Sequence, residues 1–367
     1  MARKLTSDKW LFAVTLVLVF WGVVMVFSAS AILAAEKYNS PYYFLIRQGI
    51  WALLGLVCAG VLMHVDYHHL RKPLLVFGGL SVCAIFLAAA LALDKSHQTH
   101  RWVRLGFLSF QPSELSKIFL VTFLAYFLER QAGKINDWLH TLVPVVSVLL
   151  LFLGMIVIEP DLGTPITIAT VALCLLFSAG LAYRYVVGAA LLAFPVVFYL
   201  ILSSSYRWKR LLVFLDPWKD PQGAGFQVIQ SLIALGTGGV AGVGLMEGKQ
   251  KLFFLPEPHN DFIFAVIGEE LGLLGTLGVL ALFGLFLWRG LRIACRAPDP
   301  FGQFLALGLT LMVACQALIN ISVAASLLPT KGIPLPFISA GGSSLLISLL
   351  GVGILLNISQ QERRSTG

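Results

Sequence analysis

The sequence predicts an all-α polytopic membrane protein, with ten transmembrane helices and one large structured extracytoplasmic loop between the seventh and the eighth. Three observations carry that expectation. Apolar residues fill 58% of the 367 positions and charged residues 12%, about half the roughly 25% usual in soluble domains. Mean hydropathy is +0.87, which leaves too little polar surface to coat a soluble globule of this length. Ten apolar stretches approach the about 20 residues that a helix needs to cross a bilayer. Lipid offers no partner to backbone N–H and C=O groups, so such stretches must close their own hydrogen bonds as helices.

The first span, 10–33, follows Met1-Ala-Arg-Lys4 and contains Ser28-Ala29-Ser30, the outline of a signal peptide. Its apolar run of about 18 residues exceeds the about 7–15 of a signal core, so it reads as a retained helix. The others follow at 44–63, 74–93, 113–128, 141–158, 164–181, 185–202, 262–287, 301–325 and 340–357. The fourth is the shortest and opens with charges. No internal repeat is evident, which disfavours inverted-repeat transporter folds, and residues 1–367 read as a single membrane domain.

An even number of spans places both termini on one side, and Lys and Arg in short connectors decide which. With termini inside, Arg3, Lys4, Lys9, Arg71, Lys72, Arg130, Lys134, Arg184, Arg289, Arg292, Arg296, Arg363 and Arg364 face the cytoplasm, half of the 26 cations on much the shorter total of loop. Density therefore favours cytoplasmic termini and an unusually cationic outer face. The long outer loop, about 203–260, mixes aromatic anchors (Tyr206, Trp208, Phe214, Trp218, Phe226, Phe253, Phe254) with turns at Asp216-Pro217, Asp220-Pro221 and Gly236-Thr-Gly-Gly239. Gln227–Leu235 reads as a short amphipathic helix at the interface.

A net charge of +8 favours anionic partners, lipid headgroups or a phosphorylated substrate. Nucleic acid is disfavoured, because the basic residues form no arm or stripe. The five cysteines sit in or beside apolar runs with no metal-ligand spacing, so disulfide and zinc readings fall away. His64, His68 and His69 read as interfacial charge, and His97 and His100 lack partners at ligand spacing.

Ionisable groups at membrane depth or its edge cost at least a few kcal/mol each and are functional candidates by default. Asp261, in Pro256-Glu-Pro-His259-Asn-Asp261, stands where a polar loop becomes the eighth helix: either a general base at the lipid–water boundary or an ordinary helix cap. Glu269 and Glu270, two turns deeper, either flank a cavity or pair with other helices. Glu114 and Lys117 open the fourth helix and share one face at i, i+3, below Arg101-Trp-Val-Arg104. Glu159 and Asp161, two residues apart, either hold a Mg²⁺ or Mn²⁺ ion or form a turn with Asp161 capping the next helix. Arg207, Lys209, Arg210, Lys249 and Lys251 in the long loop, with Lys331, Ser339, Ser343 and Ser344 between the last two helices, suit a pyrophosphate.

These residues fall in recognisable motifs: Met25-Val-Phe-Ser-Ala-Ser30, Arg101-Trp102, Gln111-Pro-Ser-Glu-Leu-Ser-Lys117, Phe214-Leu-Asp-Pro-Trp218, Gln230-Ser231, Leu255–Gly272, and Leu328-Pro-Thr-Lys-Gly332 through Gly341-Gly-Ser-Ser344. Together they resemble the SEDS (shape, elongation, division and sporulation) family of bacterial peptidoglycan glycosyltransferases, over nearly the whole chain. Thr-Lys-Gly and Gly-Gly-Ser-Ser resemble its division branch more than its elongation branch. The sequence departs from the family pattern at Asn260, Phe226 and Ala340, and none of these changes removes an ionisable group.

The resemblance implies a ten-helix enzyme of the bacterial cytoplasmic (inner) membrane that polymerises lipid II, a disaccharide-peptide on a polyprenyl pyrophosphate, at the outer face. It implies Asp261 as the essential acid, with Glu114 and Lys117 as the functional pair. Arg101, Arg207, Arg210, Lys249, Lys251, His259, Lys331, Ser343 and Ser344 are the expected substrate-binding set, with or without a divalent cation. It also implies a class B penicillin-binding transpeptidase as partner. A flippase for lipid-linked precursor, with Glu114, Lys117, Glu269 and Glu270 lining its path, is the alternative from another class.

Overall fold

Twelve α-helices and one short β-hairpin organise the computed structural model, which describes residues 7–93, 101–105, 108–159, 161–223, 225–252 and 254–361. Helices α1 (Lys9–Tyr38), α2 (Tyr43–His64) and α3 (Pro73–Leu93) lead to the antiparallel strands β1 (Val103–Leu105) and β2 (Leu108–Phe110). Then come α4 (Pro112–Arg130), α5 (Val143–Ile158) behind a π turn at Trp138–Leu142, α6 (Gly163–Ser178) and α7 (Tyr183–Leu202). Two shorter helices, α8 (Ser205–Leu215) and α9 (Phe226–Thr237), occupy the expected long loop. The chain ends with α10 (Ile263–Arg296), α11 (Pro300–Ala324) and α12 (Gly342–Ser359).

Eight of these helical stretches are long and apolar enough to cross a membrane, α5 counting with its π turn. The protein is thus a multi-pass membrane protein. The expected fourth and sixth spans fall short of that measure. Helix α4 carries Glu114, Lys117, Glu129 and Arg130 in its 19 residues, and α6 is 16 residues long. Protein surrounds α4, which packs against α3, α6 and α11 and buries most of its length, so it needs no continuous apolar surface. At the other extreme, α7 buries none of its residues and presents Leu191, Leu192, Phe194 and Tyr199 outward, as a lipid-facing helix does.

The bundle core is one apolar cluster shared by α1, α4, α6 and α10–α12. Its ends are tied by polar contacts. Asp8 caps α1 through the Leu11 N–H at 2.9 Å, pairs with Arg289 Nε at 3.0 Å, and donates its own N–H to Ser359 Oγ at 3.0 Å, joining α1, α10 and α12. His68 bridges Asp66 at 2.7 Å and Asp299 at 3.2 Å, knitting the α2–α3 connector to the start of α11 rather than merely facing the interface. The five cysteines are free thiols. Arg3, Lys4, Phe253, Arg363, Arg364, His97 and His100 lie outside the described residues.

Helix α10 extends nine residues past its expected end but is broken at Gly272, where φ is 64° and ψ is −157°. The break frees carbonyls that the glycine-rich segment after α9 satisfies: Val243 and Gly244 N–H donate to the Glu269 and Glu270 carbonyls at 3.0 Å each. In return the Leu273 N–H donates to the Gly239 carbonyl at 2.9 Å. A Cβ on Gly242 would lie 2.1 Å from the Glu270 carbonyl oxygen, and one on Gly272 would lie 2.3 Å from the Gly242 nitrogen. Two backbones approach here because neither carries a side chain.

Candidate functional site

Asp261 lies in the turn that ends at Phe262, the residue capping α10. Its carboxylate caps nothing: no described residue donates a hydrogen bond to it, so the ordinary helix-cap reading does not hold. The side chain is partly buried against Gly332, where an added Cβ would come within 3.1 Å of Oδ2. Burial pushes the Asp261 carboxyl up to about 6, with Arg210 pulling it down, Glu257 pushing it up, and weaker contributions from Arg101 downward and Asp161 upward. A carboxylate of that acidity is ionised at neutral pH yet holds a proton better than a solvated one.

The strap between α11 and α12 is sewn to the Asp261 turn. Ser339 Oγ donates to the Asn260 carbonyl at 2.6 Å and accepts the Leu335 N–H at 2.7 Å, and the Ala340 N–H donates to the His259 carbonyl at 2.9 Å. Two side chains of α11 complete the frame. Asn320 Nδ2 donates to the Asp261 carbonyl at 2.9 Å and to the Ile333 carbonyl at 2.7 Å. Gln316 Nε2 donates to the Pro334 carbonyl at 2.9 Å. Neither amide was singled out by the sequence reading, although two primary amides four residues apart inside an apolar helix are a legible signal.

Of the expected cations, Arg210 and Arg101 act electrostatically on Asp261, and Lys331 on Asp161. Arg210 donates to the Thr330 carbonyl at 3.0 Å and stacks over Tyr206 at 4.4 Å, so its guanidinium is held between α8 and the strap. Arg101 Nε donates to the Glu159 carbonyl at 2.8 Å. Burial lowers the Lys331 ammonium from its usual value, opposed by Asp161. Arg207 is tied to the Leu200 and Val157 carbonyls at 3.2 and 3.3 Å, bridging α7, α8 and α5. Lys249 exposes its side chain and uses its backbone N–H on Glu269.

Four other expected ligands of the substrate, Lys251, His259, Ser343 and Ser344, are buried in the bundle. Lys251 is buried against Glu270 at 2.6 Å and Ser28 at 3.1 Å, because a carboxylate enclosed at that depth requires a cation. His259 is buried with its ring against Phe44, and burial lowers its basicity ahead of the opposing effect of Glu257. Ser343 is buried in the first turn of α12, and Ser344 accepts a long 3.4 Å hydrogen bond from Gln316. The hydroxyl that reaches the Asp261 turn is that of Ser339.

Glu114 and Lys117 form the expected ion pair at 2.7 Å, 3% and 4% exposed. The Lys117 ammonium also donates to Gln316 Oε1 at 2.7 Å. The pair borders a cavity of about 30 Å³ between α4, α11 and α12, room for about two waters. Glu269 and Glu270 are both fasteners of the 246–251 loop. Glu269 accepts the Lys249 and Gln250 N–H groups at 2.7 and 3.2 Å, and Glu270 accepts Ser28, Lys251 and the Met246 N–H.

Glu159 and Asp161 do not fit a metal ion. Asp161 accepts the Gly163 and Thr164 N–H groups on one oxygen and the Thr164 hydroxyl on the other, the capping role that sequence offered as the alternative. Glu159 is fully enclosed with neither oxygen hydrogen-bonded, and burial, aided by Asp161, pushes its carboxyl up to about 8. Among the described residues no three His, Cys, Asp or Glu side chains converge as metal ligands.

Comparison with known proteins converges on one family. A family model for FtsW, RodA and SpoVE, described as cell cycle protein, matches residues 8–364. A probable peptidoglycan glycosyltransferase FtsW from Geobacter sp. (strain M18) is 44% identical over 366 residues, covering 99% of each chain. Stage V sporulation protein E of Bacillus subtilis (strain 168) is 40% identical over 363 residues, covering 98% of this chain and 99% of that one. Among solved structures, a chain from a peptidoglycan synthase complex that coordinates polymerization and crosslinking superposes with a TM-score of 0.80 at 30% identity, covering 98% of this chain and 99% of that one. The rod shape determining protein RodA of Thermus thermophilus gives a TM-score of 0.71 at 26% identity, covering 98% of each.

Proposed function

The chain belongs to the FtsW, RodA and SpoVE family of cell-cycle proteins, and we propose that it is a peptidoglycan glycosyltransferase of cell division that polymerises lipid II, with Asp261 as general base. One observation carries the reading: at the head of α10 stands a partly buried carboxylate that no described residue caps or pairs, raised in pKa to about 6 and faced by cations. A group kept in that state has a partner outside the chain. In this reading α4 and α6 complete ten spans, both termini are cytoplasmic, and the Asp261 turn faces outward from the inner membrane.

The chemistry follows. A sugar hydroxyl of one substrate attacks the anomeric carbon of the other; the new C–O bond forms as the bond from that carbon to the pyrophosphate oxygen breaks. The hydroxyl proton passes to Asp261, and the electron pair leaves on the pyrophosphate. With an α-linked donor and a β-linked product, one inverting displacement suffices and no covalent nucleophile is needed. Asp261 is a weak base toward an alcohol but accepts the proton only as bonding develops. The leaving group is already anionic and needs positive charge, which Arg101, Arg210 and Lys331 supply beside the base and Arg207 and Lys249 supply farther along the loop. Glu114 and Lys117 act from within the bundle. The polyprenyl tail stays in lipid, and a class B penicillin-binding transpeptidase crosslinks the strands.

The test is polymerisation of purified lipid II by the full chain with its transpeptidase partner, wild type against Asp261→Asn. Polymer formation is expected to vanish while the melting temperature is kept. Near-normal polymer from folded Asp261→Asn overturns the assignment.

A further inference from the structure

The i, i+4 amides of α11 brace the strap and the Asp261 turn from below. Each is nearly inaccessible, Gln316 at 3% and Asn320 at 2%. Residues four apart on a helix lie on one face, so both look toward the strap and the Asp261 turn. A polar group inside a membrane bundle costs free energy unless its position does something for it. Asn320 uses both amide hydrogens on backbone carbonyls from different segments, Asp261 on one side and Ile333 on the other. Gly332, next to Ile333, is the position where an added Cβ would come within 3.1 Å of Asp261 Oδ2.

Gln316 receives its orientation from below. The Lys117 ammonium is a donor without acceptor capacity, so it must meet the carbonyl oxygen of the Gln316 amide; the NH₂ end then has to point the other way, at the Pro334 carbonyl. A buried charge therefore dictates which way an amide faces, and the amide dictates where the strap sits. Resting on the assignment of Asp261 as base, we infer that Gln316 and Asn320 are positioning residues: Gln316 carries the orientation set by the enclosed Glu114–Lys117 pair to the 331–335 strap, and Asn320 ties that strap to the Asp261 turn, which together hold the geometry for proton transfer. Lys117 on this account acts on the reaction without touching substrate.

The experiment measures kcat, KM and the acid limb of the pH–rate profile for Asn320→Ala and Gln316→Met, each as full chain with its partner and lipid II, with Asp261→Asn alongside. Misplacing a reacting group by about 1 Å costs about 100-fold. A looser turn is therefore expected to lower kcat at least about tenfold in Asn320→Ala, with KM within about twofold of wild type. The acid limb should move to lower pH, because a carboxylate freed from its niche reaches water. Gln316→Met should change the same quantities in the same direction by less. Folded Asn320→Ala with wild-type kcat and limb overturns the inference, as does a loss of rate matched by a proportional loss of folded protein. Should Asn320→Ala not fold, Gln316→Met decides on the same criteria. Inactive Asp261→Asn beside wild-type amide variants removes this inference alone; active Asp261→Asn removes the base assignment and this inference together.

Discussion

Arg210 offers the sharpest handle on the base, because the Asp261 carboxyl sits where two opposed effects meet: burial raises it and Arg210 is the largest influence pulling it back. With a value of about 6, roughly ten in eleven molecules carry the ionised base at pH 7 and one in eleven at pH 5, so kcat/KM falls about tenfold between them. Arg210→Gln removes the cation while leaving Arg101 in place. Loss of an adjacent opposite charge raises a carboxyl by about one unit or more, which carries the limb toward pH 7. The rate then drops about twofold at pH 7 and about tenfold at pH 5 relative to wild type at the same pH. In the proposed mechanism Arg210 also supplies charge to the leaving group, so the plateau is expected to fall at every pH and the position of the limb is the informative quantity. The assay is initial-rate polymerisation of lipid II from pH 5 to 9. A limb that stays put or moves to lower pH refutes the reasoning, and a flat profile between 5 and 7 refutes Asp261 as the titrating base.

Two further predictions concern the scaffold. Gly272→Ala forces a Cβ to within 2.3 Å of the Gly242 nitrogen at a φ of 64°, so strain of about 1–3 kcal/mol adds to overpacking of about 1–3 kcal/mol; thermal unfolding in detergent should show a clear fall in Tm, and an unchanged Tm contradicts the close approach. Lys117→Met leaves Glu114 as an unpaired carboxylate 3% exposed, a loss of about 3–5 kcal/mol, whereas Glu114→Gln with Lys117→Met removes both charges and should recover most of it. A double variant as unstable as the single one rules out the buried pair as the cause.

Much of this was legible from residues alone. Asp261 stands out because a carboxylate at the junction of a polar loop and an apolar helix is costly wherever the rest of the chain lies. Glu114 and Lys117 are legible for a related reason: three positions apart on a helix, they meet by local geometry. The amphipathic α9 was visible in its own periodicity, whereas α8, whose cations tie it to α5, α7 and the strap, was not separated from the loop around it.

What sequence by itself determined is therefore local or additive: a membrane-embedded helical chain, the placement of its apolar helices, and the ionisable groups too costly to be incidental. Tertiary structure alone decided which polar groups meet. Lys251 and Arg210 are both cations of one loop, yet one is enclosed against Glu270 and the other stands by Asp261, because the breach at Gly272 draws the 238–251 segment down onto α10. Gln316 and Asn320 became significant only when α11 brought them under a strap and a turn that lie 13 and 59 residues from Asn320. Hydropathy is a sum over neighbours in the chain; a hydrogen bond is a matter of a few tenths of an ångström between groups that only the packed bundle brings together.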